Sequence, residues 1–400
     1  MNRLSQIADS AAENNAGLQP FNLMSPSASK AKEGNLEETE SQKIVPKYWY
    51  PGSSRMDTSS ITIDCQELSG GLKSILKDPG KSAQLKSRFQ EIFSRYGLVH
   101  IINNKSLTTL NEMTAISQLL FENSMRYSGG SNFRGKLEKN VYDTGAPNEA
   151  HLHYHHEMAY VKESTKHLTF LCKHALKGDR ASHGATFVSD NIGATDAIFR
   201  TPLGQKLKEK GLCYVRKLPD LAHFQKNNIN PKIVYNFWQT SFETNDPLEA
   251  AAKASKQQGL EVTWEDSEVF GRYMVTKFYI SAFEYCPFSK RNLLFAAVAD
   301  DGIWFDTWPG VKELSPEDRP LSLRFGDGSL MTHKEKQIFV DVYDQHGHRI
   351  VWSQGDMAFI CNYRFAHGRP AFELKPGEKR ELGVVLGETF TRQGENPLAW

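Results

Sequence analysis

The sequence predicts a mainly β protein with helical cover, built as a sandwich or a closed jelly roll. Three observations carry that prediction. From His151 onward the chain is a succession of short runs rich in β-branched and aromatic residues, separated by Gly, Pro, Asn and Asp, the pattern of many short strands joined by turns. Only a few segments place apolar residues at helical spacing. With 39% hydrophobic and 24% charged residues, the composition is that of an ordinary globular chain able to bury a sizeable core.

Taken in order, residues 1–44 are rich in Ser, Asn, Ala, Glu and Lys with scattered apolar residues, too few to offset the entropy of ordering them. They read as a flexible tail, and 45–400 as one domain with inserted helices. Leu85, Phe89, Ile92 and Phe93 recur at helical spacing and Gly97 follows as a stop, predicting a helix over 82–96 and a strand from Leu98. A second helix is expected over 107–121 and a short strand near Val141. Further strands are expected over 151–161, 167–174, 211–218, 260–264, 273–280, 293–298, 350–352, 358–361 and 382–387. Two helices interrupt them. Asp246 and Pro247 supply an N-cap and a first-turn proline for the run closed by Gly259, and Thr332 with Glu335 has capping-box spacing ahead of a helix to residue 344.

Lys and Arg number 48 against 47 Asp and Glu, so bulk electrostatics favours neither nucleic acid nor an anionic membrane as partner. A small-molecule partner, recognised by a local site, is expected instead. The five cysteines, Cys65, Cys172, Cys213, Cys286 and Cys361, are odd in number and stand singly, without the Cys-x-x-Cys pairing of a zinc ribbon or redox motif. A reducing, cytoplasmic location is expected. Residues 1–15 lack the apolar stretch of a secretory signal, and no apolar run approaches the ~18 residues of a membrane span.

The most unusual local feature is His151-Leu152-His153-Tyr154-His155-His156-Glu157-Met158, with four histidines and a glutamate inside seven positions. On a strand, side chains alternate, so His151, His153, His155 and Glu157 would share one face. Imidazoles ending in a carboxylate have no use in an apolar core, because each ring nitrogen needs a partner. A thermolysin-type zinc helix is excluded, since Tyr160 stands four positions after His156 where that motif requires histidine. Three readings stay open: a zinc-binding β-barrel hydrolase or metal-binding module using His153 and His155, an iron site using His155 and Glu157, and a solvated histidine-rich edge. His367 lies 210 residues after Glu157 in Asn362-Tyr363-Arg364-Phe365-Ala366-His367. A His-x-Glu pair with a distant histidine is the composition of the 2-His-1-carboxylate facial triad, which leaves one face of Fe(II) open.

On these residues the chain resembles the TauD/TfdA superfamily of Fe(II)/2-oxoglutarate-dependent oxygenases, and within it the clavaminate-synthase-like branch with Glu in the carboxylate position. The resemblance spans roughly residues 90–390, and also rests on Gly184-Ala185-Thr186 with Asp190, Trp238 to Phe242, Phe325 to Gly328, and Asn362 through Arg369. It implies a double-stranded β-helix, the cupin-like jelly roll, with the metal at the barrel mouth. It implies His155, Glu157 and His367 as iron ligands, with Arg380 and Thr186 gripping the distal carboxylate of 2-oxoglutarate. The implied reaction consumes O2 and 2-oxoglutarate, releases succinate and CO2, and oxidises a C–H bond of a small polar molecule, an amino acid or derivative of secondary metabolism. Hydroxylation, desaturation and ring closure all belong to this branch.

Several positions depart from the pattern. His183 stands where a glycine usually precedes Gly184, Cys361-Asn362 replaces Asp-Asn, and Val384 occupies the place of an arginine that binds sulfonates. A sulfonate substrate is therefore disfavoured. Retention of Glu157 argues against a halogenase. Arg134, Asn140 and Tyr142 are candidate substrate contacts by position, and His151 and His153, without an implied role, are expected to be exposed.

Overall fold

Alternation along each strand decides how this protein layers. The computed structural model describes residues 57–121, 136–144, 146–180, 183–231, 234, 236–257, 259–297, 305–315 and 318–400. The expected tail, 1–44, and Arg134 lie outside the described residues. In chain order the strands are β1 (Thr62–Asp64), β2 (Leu98–Ile102), β3 (Lys136–Glu138), β4 (Val141–Asp143), β5 (Leu152–His155), β6 (Glu163–His174), β7 (Thr186–Asp190), β8 (Leu212–Leu218) and β9 (Glu261–Ser267). They continue with β10 (Gly271–Ile280), β11 (Phe283–Cys286), β12 (Arg291–Leu294), β13 (Leu321–Phe325), β14 (Gly347–Ile350), β15 (Met357–Cys361), β16 (Phe365–Arg369) and β17 (Glu381–Thr391).

One sheet has the order β1-β2-β15-β6-β17-β4-β3 and a second the order β14-β7-β16-β5. The chain crosses between them in a fixed rhythm. β4 lies in the large sheet, β5 in the small one, β6 in the large and β7 in the small; β14 to β17 then run small, large, small, large. This alternation, with antiparallel neighbours throughout those eight strands, is the double-stranded β-helix expected from the sequence.

The space between the sheets holds the main core. Leu98, Phe170, Cys172, Ala358, Ile360, Leu382 and Val384 from the large sheet meet Val188, Ile350 and Phe365 from the small one. Their sequence neighbours Val99, Ile101, Leu171, Met357, Phe359 and Val385 point the other way, where α1 (Pro79–Tyr96) and α2 (Leu110–Leu120) cover them with Leu85, Phe89, Met113 and Ile116. The period of two thus buries both faces of the large sheet.

Both helices carry their stop and start signals. Asp78 accepts from the N–H groups of Gly80 and Lys81, Pro79 opens α1, and Gly97 closes it at φ 73°, a left-handed conformation that glycine adopts without penalty. Thr109 and Glu112 form a reciprocal capping box on α2. Between β7 and β14 an insertion carries α3 (Asn191–Phe199), α4 (Pro202–Lys210), the sheet β13-β8-β10-β9 and α5 (His333–Gln345), of which sequence periodicity predicts β8, β9, β10 and α5. The strand expected over 151–161 is cut short: β5 ends at His155, and Met158 takes φ 57°. Among the described residues no helix is long and apolar enough to cross a membrane.

Candidate metal centre and anion site

His155 ends β5 and His367 lies on the neighbouring β16, its direct cross-strand partner. Residues directly opposite in an antiparallel pair project on the same side, and here the two imidazole centroids are 4.3 Å apart. Between this pair and the Arg369–Leu152 pair the register shifts, so two residues of β5, His153 and Tyr154, oppose one of β16, Gly368. That bulge re-aims the side chains that follow it. Gly368 permits the close approach, since a Cβ there would fall 2.4 Å from the Leu152 carbonyl oxygen.

Glu157 joins the two histidines from just beyond the strand end. One donor atom from each of His155, Glu157 and His367 lies within 4.8 Å of the other two, and Glu157 Oε2 is 3.8 Å from His367 Nε2. All three residues are buried. The Nδ1 of His155 lies 2.8 Å from the His153 carbonyl oxygen; a carbonyl can only accept, so Nδ1 carries the proton and Nε2 presents its lone pair to a metal. The Phe170 ring stands edge-on against His367, with centroids 5.5 Å apart. Two neutral imidazoles and one carboxylate in an apolar wall suit a ferrous ion with open coordination positions.

A second cluster comprises Thr186, which opens β7, and Arg380, just ahead of β17. Arg380 donates from Nε to the Gly184 carbonyl at 2.8 Å and stacks over Phe372, 5.1 Å from its centroid. Burial pulls its guanidinium down to about 10, which leaves it charged at neutral pH. Among the described residues it forms no ion pair. A Cβ on Gly184 would meet Arg380 Cδ at 2.8 Å, so this glycine makes room for the guanidinium stem, whereas His183 is exposed and its departure from glycine is harmless. Thr186, two residues on, is buried, and its Oγ1 accepts from the Trp352 indole N–H at 3.0 Å.

The family model for taurine catabolism dioxygenase TauD, TfdA family, matches residues 74–386. The chain belongs to the TauD/TfdA family. It is accordingly an Fe(II)/2-oxoglutarate-dependent dioxygenase, and its cofactors are Fe(II), 2-oxoglutarate and O2. A clavaminate synthase-like protein of Arabidopsis thaliana is 24% identical over 249 residues, 62% of this chain and 69% of that protein. Among solved structures, a taurine dioxygenase from Burkholderia xenovorans is 13% identical with a TM-score of 0.41, over 80% of this chain and 88% of that one. AAD-2 in complex with Mn(II) and N-oxalylglycine is 11% identical with a TM-score of 0.37, over 80% and 89%.

Other expectations need correction. His153 is buried, not exposed, and it does not share a metal-capable group with His155; its ring packs against Tyr154 and Tyr343, at centroid distances of 5.2 and 6.3 Å. The bulge is the cause, because it breaks the alternation that would have kept His153 beside His155. Burial pushes the His153 and His156 rings down to about 3, so both stay neutral. His151 is half-buried, with its Nδ1 accepting from the Ala371 N–H at 3.2 Å. The zinc reading through His153 and His155 therefore has no geometric basis.

Asn140 sits between β3 and β4 at φ 61°, a conformation that asparagine tolerates better than most residues. Tyr142 pairs with Val384 and so faces the barrel interior with it. Sequence reasoning missed Trp352 and Phe170. Trp352 offered a signal, a tryptophan just ahead of the Gly355-Asp356 turn, but its partner lies 166 residues away.

Proposed function

We propose that this dioxygenase oxidises a C–H bond of a small polar molecule, an amino acid or a derivative made in secondary metabolism. His155, Glu157 and His367 hold Fe(II), and Arg380 with Thr186 holds the distal carboxylate of 2-oxoglutarate. The observation that carries the reading is the convergence of three buried residues, two on neighbouring strands and one just beyond a strand end, whose donor atoms lie within 4.8 Å of one another. Fe(II) bound there, with 2-oxoglutarate and O2, supplies the oxidising power and yields succinate and CO2.

The chain's own residues do the rest. His155 delivers Nε2 in a fixed tautomer. Arg380 is a half-buried cation that forms no ion pair among the described residues, which leaves its charge to be met by an anionic ligand. Its two terminal nitrogens form the planar fork that suits a carboxylate. Thr186 accepts the indole proton and so keeps its own hydroxyl proton for a ligand. Phe170 and Val384 line the interior with apolar surface, which excludes water. A neutral Val384 leaves no cation there for a sulfonate, and Tyr142 is the interior-facing candidate for substrate contact. Five free, buried cysteines suit a reducing compartment such as the cytoplasm.

Purified protein given Fe(II), ascorbate and 2-oxoglutarate in air should release succinate slowly, and His367→Ala should abolish that release. Candidate substrates then follow from mass spectrometry of a metabolite pool, as gain of one oxygen atom or loss of two hydrogens. Retained zinc with no succinate from the wild-type protein would overturn the assignment of the three ligands to iron.

A further inference from the structure

We propose that Asn362 is a positioning residue of the metal centre, fixing the main chain of Glu157 and through it the carboxylate of the donor set. The inference rests on the reading of His155, Glu157 and His367 as metal ligands. β5 ends at His155, so Glu157 stands beyond the ladder that fixes the strand's own peptide groups. A side chain takes that role. The Glu157 N–H donates to Asn362 Oδ1 at 2.9 Å, and Asn362 Nδ2 donates to the Glu157 carbonyl at 3.0 Å and to the Thr165 carbonyl at 2.8 Å.

A primary amide is suited to this place because one group must accept and donate at once. The pair of bonds to residue 157 copies the exchange of a hydrogen-bonded pair in an antiparallel ladder. Ser164 Oγ adds a second donor at the same carbonyl, 3.0 Å away. The anchor is itself fixed: Asn362 is fully buried, and its N–H donates to the Lys166 carbonyl at 2.8 Å. Beyond Glu157 the backbone turns into the left-handed region at Met158, a conformation held only where neighbours over-determine it.

Position adds a second consequence. Asn362 stands five residues before His367, in the turn that joins β15 to β16. One side chain thus ties the segment bearing the third donor to the backbone of the second, 205 residues away. With both polar atoms of the Glu157 peptide held, only its side-chain torsions remain to be set, so the donor set is largely assembled before a metal arrives.

The test is anaerobic calorimetric titration of apo-protein with Mn(II), alongside apo-protein melting curves. Supporting residues of this kind are typically worth roughly 10–100-fold in metal affinity, and Asn362→Ala should weaken Mn(II) binding by that factor. Phe359→Leu, a core change on the helix-covered side of the large sheet, should lower the melting temperature while leaving Mn(II) affinity within twofold. Folded Asn362→Ala that binds Mn(II) within twofold of wild type overturns the proposal, as does equal weakening in Phe359→Leu. If Asn362→Ala does not fold, the same titration on Asn362→Ser decides by the same thresholds. Wild-type affinity indifferent to Glu157→Ala would instead overturn the metal-ligand reading itself, and this inference with it.

Discussion

The two halves of the proposed site are held by different means. His155 and Glu157 stand where the backbone leaves regularity, at a register shift, a strand end and a left-handed residue. Thr186 opens β7 and Arg380 immediately precedes β17, whose register shifts between Glu381 and Leu382; both are held by side chains and a carbonyl: the Trp352 indole, the Phe372 ring and the Gly184 carbonyl. The difference follows from what each half must do. Three donors must converge on one point from fixed directions, which calls for a distorted backbone. An anion grip needs a charge with spare donors, and a few supporting side chains can fix that. The first half is therefore sensitive to backbone geometry, and the second to single side chains.

The largest effect that separates them is at Arg380. On the proposed assignment Arg380→Ala removes a charge-assisted bidentate contact worth about 2–4 kcal/mol, and should raise the KM for 2-oxoglutarate roughly 30- to 800-fold. Mn(II) affinity of the apo-protein should stay within a few fold. Steady-state kinetics beside metal titration checks this, and parallel loss of both would show that the two halves are one unit.

A second prediction concerns Asp356, beside the grip. Burial raises its carboxyl to about 6, against an ordinary 3.8. It faces His100, whose Nε2 is 3.7 Å from its Oδ2 and whose ring burial lowers to about 4, and the thiols of Cys65 and Cys172, both pushed up to about 12. Because the folded state holds the proton of Asp356 more tightly than the unfolded chain does, its favourable contribution is complete below pH 4 and is lost as pH rises through 6. His100 runs the other way, losing stability as pH falls from 6.5 towards 4, so the two trends offset each other in the wild type. Asp356→Asn should unmask this. Its stability advantage over wild type should be absent near pH 4, grow through pH 6 and level at about 2–3 kcal/mol. Urea unfolding at pH 4.5 and 8 measures it, and a pH-independent difference would mean that Asp356 does not titrate in that window.

How much of this was legible in the sequence differs between the halves. Helix α1 announced itself through the spacing of Leu85, Phe89, Ile92 and Phe93 and the Gly97 stop, though it starts three residues earlier than expected, and α5 through the Thr332–Glu335 capping box, because periodicity and caps are local chemistry. Helix α3 did not, since its buried residues, Asn191, Ala194, Thr195 and Ile198, mix polar with apolar and give little contrast between faces. The His155-x-Glu157 pair with His367 was readable as a composition. The bulge that separates His153 from His155 was not, because it depends on Gly368 passing against Leu152 from a strand more than two hundred residues away. The assignment of Arg380 and Thr186 to the carboxylate of 2-oxoglutarate comes from the resemblance: an arginine or a threonine near a strand start carries no local mark of an anion site.

The smallest expected effect lies at Trp352, and it tests whether the grip depends on side-chain support. The indole N–H can only donate, so its 3.0 Å bond to Thr186 Oγ1 occupies a lone pair and turns the hydroxyl proton elsewhere. Trp352→Phe keeps an aromatic ring against His100, 5.9 Å from the indole at present, and removes the donor. The Thr186 hydroxyl then rotates freely, and some of its orientations no longer offer a proton to the carboxylate. Loss of one such bond is worth about 1 kcal/mol, or roughly a fivefold rise in the KM for 2-oxoglutarate. Thr186→Val should reproduce that rise, and the double variant should add little to either, because both changes remove the same oriented proton. Additive effects in the double variant would show that Trp352 acts by packing alone, and that the anion half, like the metal half, rests on the shape of its surroundings.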